Sequence, residues 1–316
     1  MIRHGILLFI CSICVSTQGF TQCFASPGNP VGGTANMGTM QKNSVRVASN
    51  FQYSYSDTYF EGHSKYTGPK TVIQNAHYSF MQLLGSYGIT DIITLEAEIG
   101  YFIQKKLRYK QTGTSVGTNG LSNSVVSLKY NFFQNDDTRF SIVGSIGANV
   151  PFSQNMKQEN GVVLPLDVQP STGSFGAVWQ TYILKENSFR GERWFYTNRI
   201  EYYNPNKENL QFGTALYQSI YYSKHFVFQS WKLHDWTGII QCKNLIKFPN
   251  YKDDTKIKAS GGYTFWIIPQ INVFVKNTWN ISTFISIPIY QYVHDIQLGN
   301  RYGWGLQITR DFGLKE

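Results

Sequence analysis

The sequence predicts an all-β protein: a transmembrane antiparallel β-barrel of about twelve strands, with both termini on the periplasmic side. Three observations predict it. The stretch 301–312 sets Tyr302, Trp304, Leu306, Ile308 and Phe312 on one face against Gly303, Gly305, Gln307, Thr309 and Asp311 on the other, the period of a half-buried strand. Its aromatics lie at both ends with aliphatics between, which suits a lipid slab bounded by two water interfaces. Aromatic residues make up 16% of the chain and charged residues only 15%, against a typical ~25% charged. After the N-terminus no run approaches the ~18 apolar residues of a helical span. Alternation dilutes hydropathy in this way in barrels. A soluble aromatic-rich sandwich gives similar averages, so the order of the segments decides.

Alternation begins at Ser44, where Val45, Val47, Phe51, Tyr53 and Tyr55 oppose Arg46, Asn50, Gln52 and Ser54. Polar residues 57–71 form a long loop. A strand over 74–87 and a turn at 88–91 lead to the clearest alternation, Ile93, Leu95, Ala97, Ile99, Tyr101 and Ile103 against Thr94, Glu96, Glu98 and Gly100. A loop over 105–121 precedes a strand with Val126, Leu128, Tyr130 and Phe132 on one face and Lys129 on the other. A short turn at 134–137 follows, then a strand with Phe140 and Ile146 opposing Arg139 and Ser145.

A long loop over 151–172 leads to a strand at 174–184. The turn 185–192 leads to Trp194, Tyr196, Ile200 and Tyr202, opposed by Thr197, Arg199 and Glu201. Strands near 211–228 and 236–245 follow. Another, over 257–275, carries Lys258 on its polar face and a bulge or break at Pro269, which lacks the N–H for a ladder. After a turn at 276–279, an isoleucine-rich strand over 281–289 and a loop over 291–300 reach the last strand. Long connections follow strands one, three and five, and shorter ones follow two, four and ten. Outer-membrane barrels have even strand numbers, short periplasmic turns and long outer loops. A soluble sandwich has no reason to sort its connections.

Residues 1–25 read as a secretory signal, with a basic start at Arg3 and an apolar stretch over 6–15, too short to span as a helix. The cut falls between 16 and 25. Cys23 as a lipidated N-terminus is a poor match, because Phe20-Thr21-Gln22 is not a small-apolar lead-in. Residues 26–43 form an irregular periplasmic lead-in, 44–312 the barrel, and 313–316 a tail. Cys11 and Cys14 fall in the signal, and Cys242 has at most Cys23 as a partner, so no disulfide framework is expected. The net charge of +9 favours anionic head groups or acidic solutes. An exported chain with no Arg-rich stripe or stacking motif is not expected to bind nucleic acid. The expected partners are outer-membrane lipid, a small-molecule solute of unknown identity and the barrel assembly machinery.

If the apolar face meets lipid, Arg46, Glu96, Glu98, Lys129, Arg139, Arg199, Glu201 and Lys258 point into the lumen. Opposed charges across a pore select solutes, and an excess of cations favours anions. The competing role is a buried ion-pair network closing a narrow interior, since a small barrel can be filled by side chains or an inward loop. The lipid-facing aromatic girdle is Tyr53, Tyr55, Tyr101, Tyr130, Trp194, Tyr302, Trp304 and Phe312. Neither catalysis nor a metal or cofactor is expected. His63, His77, His234 and His294 each have a hydroxyl or acid beside them in sequence. Sequence neighbours on a strand face opposite sides, whereas a nucleophile and its base must meet at hydrogen-bond reach. No GxSxG, Walker, HExxH or mature CxxC pattern occurs. The function classes that remain are a small-molecule channel or transporter, a structural or adhesive surface barrel and, behind both, an outer-membrane lipid hydrolase.

Several stretches also carry a likeness: 29–36 (Asn-Pro-Val-Gly-Gly-Thr-Ala-Asn), 54–62, Ile287-Pro288-Ile289-Tyr290, Asp295-Ile296-Gln297-Leu298 and Thr309-Arg310-Asp311-Phe312. In these the chain resembles the Gram-negative outer-membrane β-barrel family named for the phenol-degradation meta-pathway, often called transporter-like. The resemblance spans most of the mature chain and rests on structural motifs. It implies an outer-membrane location and passage of small, in part apolar, molecules, and it names no solute. Residues 313–316 depart from barrels that end on their final aromatic.

Overall fold

The two-residue period becomes a wall. The structure is a computed structural model that describes residues 38–69, 71–226, 234–275 and 279–314. The expected signal segment, Cys23, the lead-in up to residue 37 and the turn at 276–278 lie outside the described residues. Twelve strands form the wall: β1 (Ser44–Ser56), β2 (Ile73–Thr90), β3 (Ile93–Tyr109), β4 (Asn123–Asn135), β5 (Phe140–Pro151), β6 (Gly176–Asn187), β7 (Glu192–Tyr203), β8 (Ala215–Phe226), β9 (His234–Lys247), β10 (Gly262–Val275), β11 (Trp279–Gly299) and β12 (Tyr302–Gly313). Each pairs antiparallel with its chain neighbours, and β1 closes on β12 from Ser44↔Gly313 to Tyr55↔Tyr302. Closure pairs the first strand with the last and so removes the free edges, which hydrocarbon does not tolerate.

The outer surface is apolar. Leu95, Val126, Leu128, Ile146, Trp179, Ile220, Ile240, Ile271, Ile285 and Leu306 are exposed there, while the alternate positions are buried inside. At the loop end, Tyr53 and Tyr55 pack with Tyr302 and Trp304, with ring centroids 5.5–6.4 Å apart. At the turn end, Tyr130 packs on Phe132 at 5.0 Å and Trp194 on Tyr222 at 4.8 Å. Arg310 lies between Trp279 and Phe312, at 4.8 and 4.7 Å from the rings, a cation held by aromatics as at a membrane interface. Tyr101 shares the outer face but pairs with Met81, level with Phe51, between the two belts.

Two expectations need correction. Residues 105–121 are not a loop: β3 runs on to Tyr109 and pairs with Ser115–Leu121. Residues 291–299 likewise continue β11, which pairs near its end with Thr58–Gly62. Polar composition concealed both, because their inward face meets loops and side chains instead of a uniform core. At Pro269 the expected break is present: the β10–β11 pairing skips Ile268 and Pro269, passing from Ile267↔Ile287 to Gln270↔Phe284, and keeps its register. A register shift lies nearby at Phe265/Trp266, opposite Pro288. Gly305 has a steric reason: a Cβ there would lie 2.4 Å from the inward Phe284 ring.

Candidate functional site in the barrel interior

Period two puts Glu96 and Glu98 of β3, Lys129 of β4, Gln180 and Tyr182 of β6, and Arg199, Glu201 and Tyr203 of β7 on the inner face, and all eight are buried. Arg199 is the hub. Its Nη1 donates to Glu98 Oε1 at 2.7 Å and to Gln180 Oε1 at 3.3 Å, and its Nε donates to Glu201 Oε1 at 2.7 Å. Strands β3 and β7 are four steps apart around the wall, so the Arg199–Glu98 bond is a chord across the lumen. Tyr203 Oη donates to Glu201 Oε2 at 2.8 Å, and Asn149 Nδ2 donates to Tyr203 Oη at 3.2 Å. Nearer the turn end, Lys129 Nζ lies 2.9 Å from Glu96 Oε2 and 4.6 Å above the Tyr182 ring. Ser86 Oγ completes that pair, donating to Glu96 Oε1 at 3.0 Å. Charged hydrogen bonds out of water are strong only when every partner is present. This network meets that condition at Arg199.

Two apolar patches flank the network. Val143, Tyr182, Phe195, Tyr221 and Ile239 form one on the β5–β9 wall. Tyr78, Phe80, Phe102 and Leu107 form the other on β2 and β3, where Leu164 and Val168 pack against them. Those last two residues belong to the β5–β6 connection, residues 152–175, which therefore folds into the loop end of the barrel. Lys105 Nζ donates to Gln169 O at 2.6 Å, and Thr118 Oγ1 donates to Val168 O. Asn123 holds the connection's return, donating to Thr172 Oγ1 at 2.6 Å and accepting from Ser171 Oγ at 2.7 Å. Asp167 lies within electrostatic reach of Lys105 and Lys247. Burial pushes its carboxyl above the ordinary range, and the two cations oppose that shift.

Six of the eight predicted interior charges therefore face inward. Arg46 donates two bonds to Asp311, at 2.7 and 2.6 Å, across the β1–β12 seam at the turn end. Glu96, Glu98, Lys129, Arg199 and Glu201 form the buried network. Arg139 and Lys258 do not belong to it. Arg139 takes a positive φ of 48° in the turn before β5; its side chain is 58% exposed, against 1% for Arg199, and pairs with Glu186 at 3.4 Å. Lys258 is exposed in the β9–β10 connection, because β10 starts only at Gly262. Alternation was extended too far at both places, across a turn and into a loop.

Sequence reasoning missed three inward cations: Lys105, Lys243 and Lys247 are all buried. Lys243 Nζ lies 5.4 and 5.5 Å from the Tyr217 and Trp266 rings. Continuing the β3 period through its one-residue bulge would have placed Lys105 inside.

A closed twelve-stranded antiparallel barrel with an apolar outer band, aromatics at both rims and a polar interior is an outer-membrane β-barrel, and the outer membrane is where that surface is stable. No protein-family model matches the chain, and no curated protein matches it in sequence. Among solved structures it is similar to an outer membrane channel from Pseudomonas putida F1, with a TM-score of 0.67 at 11% identity over 89% of this chain and 100% of that one. It is also similar to the beta domain of the Bordetella autotransporter BrkA, with a TM-score of 0.51 at 9% identity over 86% and 100% of the two chains. At these identities the likeness concerns the fold.

Proposed function

We propose that this barrel is a channel for small solutes, with a modest preference for anions among charged ones. The observation that carries the reading is the chemistry of the inner wall. Arg46, Lys105, Lys129, Arg199, Lys243 and Lys247 line it from one end to the other, against Glu96, Glu98, Asp167, Glu201 and Asp311. Fixed charge in a low-dielectric passage concentrates ions of the opposite sign. The short turns and both termini face the periplasm in this reading, and the long connections face outward. The proposal includes kinship with the phenol-degradation meta-pathway barrels, supported by the stretches over 54–62 and 309–312. It includes no catalysis: His77 bonds Gln104 at 3.2 Å on the outer face, not a serine.

The likeness to an outer membrane channel supports this reading. A second one has its own observation: the Arg199–Glu98 chord and the inward connection narrow the lumen, as a structural or adhesive surface barrel would allow. Swelling of proteoliposomes in isosmotic small solutes separates the two. Swelling that is faster in small carboxylates than in cations of equal size supports the channel; proteoliposomes as tight as empty vesicles support the surface barrel.

A further inference from the structure

We propose that a cleft at the loop end of the barrel binds the phosphorylated head group of a glycolipid from the outer leaflet of the membrane. The proposal rests on the outward placement of the long connections in the channel reading, and not on conduction. The cleft has a volume of about 480 Å³, within the range of about 300–1,000 Å³ usual for small-molecule sites. Ile103, Gln104 and Lys106 of β3 line it, with Asn119 of the strand Ser115–Leu121 and Lys157 and Glu159 of the β5–β6 connection. Register fixes its height. Lys106 pairs with His77, His77 with Tyr55, and Tyr55 with Tyr302, so Lys106 stands in the row of the aromatic rim, which marks the level of lipid head groups. Ile103, nearer the middle of the strand, is exposed on the lipid-facing side.

Lys157 is held in place from both sides of its peptide. Its backbone N–H donates to Gln169 Oε1 at 2.8 Å, and its carbonyl accepts from Gln169 Nε2 at 3.0 Å. Its Nζ donates to Asn119 O, which leaves two of the three ammonium donors. Among the described residues neither Lys106 nor Lys157 forms an ion pair, although Glu159 lines the same cleft. The cleft therefore carries an excess of positive charge at head-group height. Beside it, Val162 and Val163 pair with Glu159 and Gln158 and are 68% and 47% exposed. Exposed valines next to lysines suit the boundary between head groups and acyl chains, and a soluble anion has no use for them. The occupant is thus an amphiphile. Its phosphate meets the two lysines, its sugar hydroxyls meet the amides of Gln104 and Asn119, and its chains lie on the Ile103 side.

The experiment is native mass spectrometry of the full chain in detergent with bisphosphorylated lipid A, with the dephosphorylated form, with phosphatidylglycerol and with inorganic phosphate. A single lipid A adduct is expected, with the other three probes bound more weakly. Lys106→Gln and Lys157→Gln should each weaken lipid A binding about tenfold, the loss expected for one charge-assisted hydrogen bond. Lys258→Gln, which removes an exposed lysine of another connection, should leave it unchanged. Heat-modifiable migration checks that each variant is folded. The proposal is overturned if no lipid A adduct forms, if both cleft variants bind as the unaltered protein does, or if Lys258→Gln weakens binding as much as they do. Inorganic phosphate bound as tightly as the lipid overturns the lipid assignment, and phosphatidylglycerol bound as tightly as lipid A overturns the glycolipid assignment. Single-channel recording of the same samples separates this site from the channel reading. Lipid A binding as expected in a protein that conducts no ions leaves the site standing and removes the channel; conductance without lipid A binding does the reverse.

Discussion

Replacing Arg199 by methionine should strongly destabilise the barrel. The guanidinium holds Glu98 and Glu201, each at 2.7 Å, and all three groups are buried. Arg199→Met keeps the bulk and leaves two carboxylates facing each other without a cation. Removing one partner of a buried pair costs about 3–5 kcal/mol, because the charge left behind is uncompensated. Glu98→Gln is milder: it retains an acceptor for Nη1, and Arg199 keeps Glu201, so about 1–3 kcal/mol is expected. In the double variant one buried carboxylate remains instead of two, so the losses should not add. A coupling of about 2 kcal/mol is expected, within the range for residues that share a network. Urea unfolding of the protein in lipid vesicles, followed by tryptophan fluorescence, measures all four corners of this cycle. Additivity within about 0.5 kcal/mol would show that the chord contributes no energetic link across the lumen.

Further outcomes follow from the same geometry. Leu306 faces lipid between Phe51 and Thr283, so Leu306→Arg should cost about 2–4 kcal/mol and reduce the heat-modifiable folded fraction, whereas Leu306→Ala should not. Gly305→Val drives a side chain into the Phe284 ring; folded yield should fall and recover in part with Phe284→Ala, and no recovery would place the conflict elsewhere. Asp167 has a raised folded-state pKa from burial, set against Lys105 and Lys247. Its contribution to seating the inward connection is therefore fully present below the ordinary carboxylate value of about 3.9 and is lost as pH rises through the raised value. Proteolysis within residues 152–175 should thus be slowest at acid pH in wild type, and Asp167→Asn should flatten that dependence.

The wall was legible because lipid outside and polar groups inside impose one period on every strand. Residues 93–103 and 301–312 show it without interruption, and both are strands in the structure. The network on β3, β4 and β7 was legible for the same reason, since charges opposite an apolar face have only the lumen to enter. Lys105 was hidden by the bulge between Ser79/Gln104 and Phe80/Phe102, which shifts the period by one residue. Lys243 and Lys247 were hidden because β9 alternates weakly, with Gln241 and Asn244 on opposite faces. The inward fold of residues 152–175 left no periodic trace: it depends on contacts with Lys105, Thr118 and Asn123, which lie more than thirty residues away in sequence. Arg199's choice of Glu98 is likewise a matter of barrel closure, the two residues being 101 positions apart.

The channel claim meets its most direct test in single-channel recording of the full chain in a planar bilayer under a potassium chloride gradient. Discrete conductance steps are expected, with a reversal potential displaced towards that of chloride. Lys243→Glu, which places a carboxylate at a buried lysine of β9, should move the reversal potential towards that of potassium. A cation-selective current that Lys243→Glu leaves unchanged would contradict the assignment of the inner wall, and a silent bilayer containing folded, heat-modifiable protein would contradict the channel itself.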